Sequence, residues 1–304
     1  MKKKVMISEI AIILIILCFA WGYYYFHSTE KSTKKLNPNP QLYEACDEDS
    51  CIYLLGTIHV GDERLDGLTD RIWKAYQDSD AIAFEVDILA SQDLADESLA
   101  YLPEGDDLSN YLTKEQLEQL EDFLEKRLIS MDFIRKFNLP TVSSLLEQFA
   151  YHDLGLLSNL GVDYQLLEKC YEDDKEIIEL ESAEFQLNLL YTFPNEIYIE
   201  SIEDILNNYE ASKKGTELLY NAYIYGNTLV LSELFGSEDT DDEIHKEYNQ
   251  KMLIDRNIKM AEKAELYLKE NRKIMIAVGD AHIIGEKGLI ELLGEKGYKI
   301  SVVK

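Results

Sequence analysis

The sequence predicts an α/β domain: a small central β-sheet built from two related strand, G-x-x-H, helix, strand units, flanked by many helices and preceded by a membrane segment. Three observations carry this expectation. Apolar runs end twice in the same motif, Gly56-x-x-His59 in "YLLGTIHVG" and Gly279-x-x-His282 in "IAVGDAHIIG". Each motif is followed by a helix-length segment and then by a second apolar run. Between the two copies, apolar residues recur with the period of helices rather than of strands.

In chain order, "MKKKVMISEIAIILIILCFAWGYYYFHS" comes first. Three lysines precede an apolar run from Ile10 to Phe26, which reads as a single membrane segment over residues 1–27. Lysines favour the cytoplasmic side and Trp21 with Tyr23 to Tyr25 suit the outer interface, so the body is expected outside the cytoplasm, held at the cell membrane. No small-x-small cleavage site precedes the tyrosines, which favours a retained anchor over a signal peptide. Residues 28–40 are polar and carry prolines, as an exposed linker does, and the folded domain is expected over 41–304.

That domain opens with two strand-like stretches, "QLYEA" and "IYLLG", separated by Cys46, "DEDS" and Cys51. A hairpin stapled by a disulfide and a hairpin with two free thiols both fit this spacing. "DERLDGLTDRIWKAYQDSD" reads as a helix and "AIAFEVD" (81–87) as a strand; a crossover of this length makes the two strands parallel. In "LTKEQLEQLEDFLEKRL" the leucines 117, 120, 124 and 128 share a face, and Thr113 with Gln116 forms a capping box. A helix over "GVDYQLLEKCYEDD", a strand over 175–181 and a helix opened by Ser182 follow; further helices are expected over 195–210, 215–235 and 241–270. The acidic run 237–243 lacks the spacing of a calcium loop and reads as solvated chain leading into a helix. "KIMIAVG", "EKGLIELLGEKG" and "YKISVV" close the chain as strand, helix and strand.

The balance of charge is strongly acidic, 58 Asp and Glu against 30 Lys and Arg, for a formal charge of −28. Such a surface repels phosphate backbones and excludes nucleic acid as a partner.

A histidine just past a strand that ends in glycine lies where open α/β sheets place their sites. One such imidazole would be unremarkable, but His59 and His282 stand in matched contexts in a chain with only five histidines. His152 and His245 lie in polar helical stretches and read as surface residues. Glu85 and Glu181 each follow a strand and are the carboxylates best placed to join the imidazoles. Two imidazoles with one or two carboxylates suit a divalent ion such as zinc, manganese or cobalt. Arg256, early in a long helix, reads either as a surface ion pair or as an anchor for a substrate carboxylate or developing oxyanion. Cys170 reads as a buried thiol.

Taken together, "YLLGTIHVG", "DAIAFEVD", "GVDYQLLEKC...IIELESAEFQL", "DRNIKMAEKA" and "VGDAHIIGEKGLIELLGEKGYKI" resemble the TraB/GumN family, which includes the Tiki metalloproteases. The motifs fall in order from about residue 42 to 303. The resemblance implies His59, His282 and Glu85 as the metal site and a peptide substrate; Glu181, as a carboxylate free to take a proton, and Arg256 are expected as catalytic groups. The family's arginine-asparagine pair matches Arg256 and Asn257, whereas Asp280 stands where small residues are common in the second motif. The expected function is therefore metal-dependent hydrolysis of peptides at the cell membrane. Related folds keep two alternatives open: a metal-free esterase with a histidine base, and a protein that sequesters a peptide or haem without turnover.

Overall fold

The computed structural model describes residues 38–91, 97–236, 242–270 and 272–304. The expected membrane anchor and most of the linker lie outside the described residues, as does most of the acidic run. Among the described residues, no helix is long and apolar enough to cross a membrane.

Six strands form one mixed sheet: β1 (Leu42–Cys46), β2 (Cys51–Thr57), β3 (Ala81–Phe84), β4 (Glu176–Glu179), β5 (Ile274–Gly279) and β6 (Lys299–Val302), in the spatial order β4-β3-β5-β2-β1-β6. β2, β3, β4 and β5 are mutually parallel, and β1 runs against both β2 and β6. The two central strands, β2 and β5, are buried almost throughout, which is why their sequences are nearly continuous apolar runs rather than alternating ones. They lie side by side, with Gly56 opposite Val278 and Thr57 opposite Gly279.

This topology locates the site. From β2 the chain passes over β5 to reach β3, whereas from β5 it passes over β2 and β1 to reach β6. The two connections therefore leave neighbouring strands in opposite directions. Their carboxyl ends form the switch point at which α/β sheets bind ligands. Both G-x-x-H motifs end there.

Apolar residues form two clusters. One surrounds the sheet and includes Leu54, Leu55, Phe84, Ile276 and Val278; the other joins the helices Lys114–Glu125, Leu139–Asp153, Ala183–Leu190 and Asn195–Ile224 through residues such as Leu120, Leu146, Leu190 and Ile202. The capping box of Thr113 and Gln116 is formed, and Cys46 and Cys51 are joined across the hairpin. Cys170 is buried.

Several expected boundaries move. The helix expected over 62–80 shrinks to Asp70–Asp78, with turns around Gly61 and Gly67 before it. Leu128 is not a core leucine: its helix stops at Glu125, its φ is +59°, and its side chain is 96% exposed. The break expected near 210–215 falls slightly earlier, at Asn208, whose φ of −131° and ψ of 27° interrupt the helical stretch Asn195–Ile224, and a shorter helix covers Thr228–Phe235. The last long helical stretch is divided into Glu243–Asn249, a π-turn over Gln250–Ile254, and Asp255–Lys269.

Candidate active site

Each of the two histidines is aimed by a distant element. His59 lies two residues beyond β2, and the helix Val162–Asp173 docks beneath it by the bond from Val162 N–H to the Ile58 carbonyl, 2.9 Å. The docking requires Gly161, where a Cβ would come within 2.4 Å of the His59 carbonyl oxygen. It brings Asp163, second in the helix, to 2.6 Å from His59 Nδ1. Burial by itself would lower the basicity of this ring, but the charge and hydrogen bond of Asp163 outweigh it and raise the pKa to about 8.

His282 sits inside the short helix Asp280–Ile284, fully buried, with Nδ1 2.5 Å from Asn257 Oδ1. An amide oxygen only accepts, so Nδ1 carries the hydrogen and Nε2 presents a bare lone pair. Burial, aided by the nearby Arg256 charge, pushes this ring down to about 3, so it is neutral. Nε2 of His59 and Nε2 of His282 are both buried and without a hydrogen-bond partner.

Beside the imidazoles lies a closed ionic network. Glu85, just past β3, accepts the Gly279 N–H on Oε1 at 2.8 Å and an Arg256 N–H on Oε2 at 2.6 Å. Its Oε1 lies 3.8 Å from His282 Nε2. Burial opposes ionisation of Glu85, yet the nearby Arg256 and His59 charges and the Gly279 N–H hold its carboxyl below the usual carboxylate range. Glu181 takes three further bonds from Arg256, and Gln186 donates to Glu181 at 2.9 Å and to Glu85 at 3.2 Å. Arg256 also donates to the Met252 carbonyl at 2.9 Å and is 1% exposed. It forms an ion pair, but a buried one rather than one on the surface, with two carboxylates of its own chain.

A divalent ion fits this donor set in chemistry: two orphaned, tautomer-fixed imidazole nitrogens beside an ionised carboxylate, each ring backed by an outer partner of the kind that orients metal ligands. The set is loose in position. Among the described residues, His59, His282 and Glu85 do not bring three ligand atoms within 4.8 Å of one another; Glu44, Cys46 and Cys51 do, but those sulfurs form the disulfide. His59 is the member nearest solvent, its side chain 21% exposed against none of His282.

Asp280 occupies a different surface of the same junction. Its carboxylate packs on Gly56, where a Cβ would fall 1.8 Å from Oδ1, and both of its oxygens are buried without a partner. Burial pushes its carboxyl up to about 8. The glycine of the first motif is thus required by the acid of the second.

The structure places His59, His282, Glu85 and Glu181 just past strand ends and sets Arg256 against the two glutamates. Sequence alone does not point to Asp163 or Gln186. A faint signal existed for Asp163, since "GVD" opens a helix with a glycine and an acid, but nothing local marks Gln186.

Fold and site define a class: an α/β protein with paired buried imidazoles and an arginine-bridged carboxylate pair at the carboxyl edge of its sheet. The TraB/PrgY/gumN family model matches residues 41–302, and the chain belongs to that family. It is similar to the uncharacterized protein YbaP of Escherichia coli (strain K12), 27% identical over 245 residues that cover 79% of this chain and 87% of that protein. The uncharacterized protein YbaP of Shigella flexneri matches with the same identity and coverage. No solved structure matches.

Proposed function

We propose that this chain is a membrane-anchored, extracytoplasmic, metal-dependent hydrolase of peptides. The observation that supports the reading is the pair of imidazoles with Nδ1 held and Nε2 buried and unpartnered. In this reading His59 and His282 hold a divalent ion, zinc, manganese or cobalt, with Glu85 as the carboxylate donor. Such an ion, when bound, lowers the pKa of its water toward about 7 and polarises a carbonyl. The chain's own residues do the remaining work. Asn257 keeps the hydrogen of His282 on Nδ1, and Asp163 does the same for His59. Arg256 pairs with both Glu85 and Glu181, and Glu181 receives the proton released on attack.

The preference for peptides follows from the resemblance to Tiki proteins, and the anchor follows from residues 1–27. Metal content of the purified full-length chain, measured with peptide hydrolysis before and after chelation, tests the reading. Turnover is expected to vanish with the metal and to return on adding it back. A second reading has its own support: the Asp163-His59 pair at 2.6 Å, with its raised pKa, has the form of an oriented general base. Hydrolysis that survives chelation would replace the metal reading with this metal-free one. Protease added to intact cells should digest the body, and full protection would overturn the proposed topology.

A further inference from the structure

A groove of about 320 Å³ lies between the helices Ala183–Leu190 and Asp255–Lys269. Its apolar wall is made by Leu180, Phe185, Met260 and Leu266, and Leu266 is 54% exposed. Lys259 and Lys263, one turn apart, stand on its rim with Glu262 between them. The Lys259 ammonium lies 5.2 Å from the centre of the Phe185 ring, and Lys263 donates to the Leu180 carbonyl. The inner wall is Glu181, the same carboxylate that binds Arg256.

The groove therefore opens at the carboxyl end of β4, on the edge where the imidazoles lie at the ends of β2 and β5. Leu180 and Glu181 continue the β4 ladder by bonding to the carbonyls of Phe84 and Glu85, 2.8 Å each, so the edge is continuous. With strands about 4.8 Å apart, β4 is about 10 Å from β5 and about 14 Å from β2. An extended peptide covers that distance in about three or four residues.

From this geometry we infer that the groove is a subsite for the carboxyl-terminal residue of a short peptide, with an apolar side chain on the Phe185 and Leu266 wall and its free carboxylate at Lys259 and Lys263. The inference rests on the hydrolase reading and adds to it a substrate class and a direction. The scissile bond lies about three or four residues before the peptide's end. Lys259 and Lys263 are the two cations that line the groove, and the peptide's carboxylate meets them there. Glu262 on the rim disfavours a run of acidic side chains.

Binding is measured without turnover, so that it is separable from hydrolysis. The probe is dansyl-Gly-Gly-Gly-Leu, with a free carboxylate or as its amide, titrated into the chelated full-length chain and read by fluorescence anisotropy. The acid should bind at least 10-fold more tightly than the amide. Lys259→Ala should erase that difference, and Lys259→Arg should restore most of it. Equal affinity of acid and amide, no binding of either, or an unchanged preference in Lys259→Ala would each overturn the subsite. An amidated control ending Gly-Asp-Leu that binds as tightly as the free acid would also overturn it, by showing that a side-chain carboxylate suffices. Binding as described with no hydrolysis by the metal-loaded chain would instead leave the subsite standing and remove the hydrolase.

Discussion

The two G-x-x-H motifs share a sequence pattern and differ in almost every physical respect. His59 lies in a loop, partly exposed, against a carboxylate, and is drawn toward the charged form. His282 lies within a helical turn, wholly buried, against an amide, and is held neutral. Their glycines differ too. Gly56 lies within β2 and gives way to a buried acid, whereas Gly279 ends β5 and offers its N–H to Glu85. The difference teaches that the repeat fixes where an imidazole emerges from the sheet, while the outer partner decides its protonation and freedom. One motif supplies a rigid donor, and the other supplies the member that has room to move.

The largest test of this contrast is also a test of unity. If both rings serve one ion, His59→Ala and His282→Ala should each strip most of the metal and reduce hydrolysis by more than the about 10- to 100-fold typical of losing an outer partner. The double replacement should be scarcely worse than either single one. Metal retained by His59→Ala but lost by His282→Ala would break the pairing and leave the second motif alone as the site.

Stability should separate the same two variants. Removing the fully buried His282 leaves a cavity and strands Asn257, so about 2–4 kcal/mol is expected to be lost in urea unfolding of the chelated protein. His59→Ala should cost about 1 kcal/mol, since its ring is partly solvated. Equal losses would mean that the difference in burial carries no weight.

The glycines give a smaller contrast. Gly56→Ala must displace Asp280, whose oxygen would lie 1.8 Å from the new Cβ, and should destabilise by about 1–3 kcal/mol. Gly279→Ala meets Glu85 Oε1 at 3.3 Å and should cost less than about 1 kcal/mol. Thermal unfolding of Gly56→Ala beside Gly56→Ala with Asp280→Ala checks the assignment, because the second change should recover most of the loss.

Acid and base should act on the two rings with opposite sign. His59 has a folded pKa raised to about 8, so its stabilisation is complete below about 6.5 and disappears as pH rises through 8. His282 is lowered to about 3, so the folded state refuses a proton that the unfolded state accepts, and this ring's contribution falls as pH drops below about 6.5, opposite in sign to that of Asp280, which is raised to about 8. Asp163→Asn should abolish the alkaline loss, about 1–2 kcal/mol, and leave the acid loss in place. Denaturation of parent and variant at pH 5, 7 and 9 with chelator present reads both arms; parallel curves would contradict the assignment.

Much of this site was legible because its parts stand at strand ends. His59, His282, Glu85 and Glu181 each follow an apolar run, and a parallel sheet gathers such ends on one edge. Asp163 was hidden because its partner is 104 residues away and its own surroundings are those of any helix start. Gln186 bridges two carboxylates that only the folded sheet brings together. The reading of Arg256 as a surface ion pair or an anchor for substrate rested on a helix pattern that does not show what the guanidinium faces. Leu128 fitted the leucine period but lies beyond the last turn, where a left-handed residue ends the helix. Periodicity measures spacing and does not register where a helix stops.

The reversed direction of β1 bears on how the protein is oriented. Because this strand runs against its parallel neighbours, its first residue lies at the carboxyl edge: Leu42 stands opposite Leu55, and Gly56 N–H bonds to the Gln41 carbonyl at 2.9 Å. The polypeptide thus enters the domain on the same side as the imidazoles, not on the side of the disulfide. In the anchored reading proposed above, the chain that leads to the membrane therefore joins the domain at the edge where the imidazoles lie.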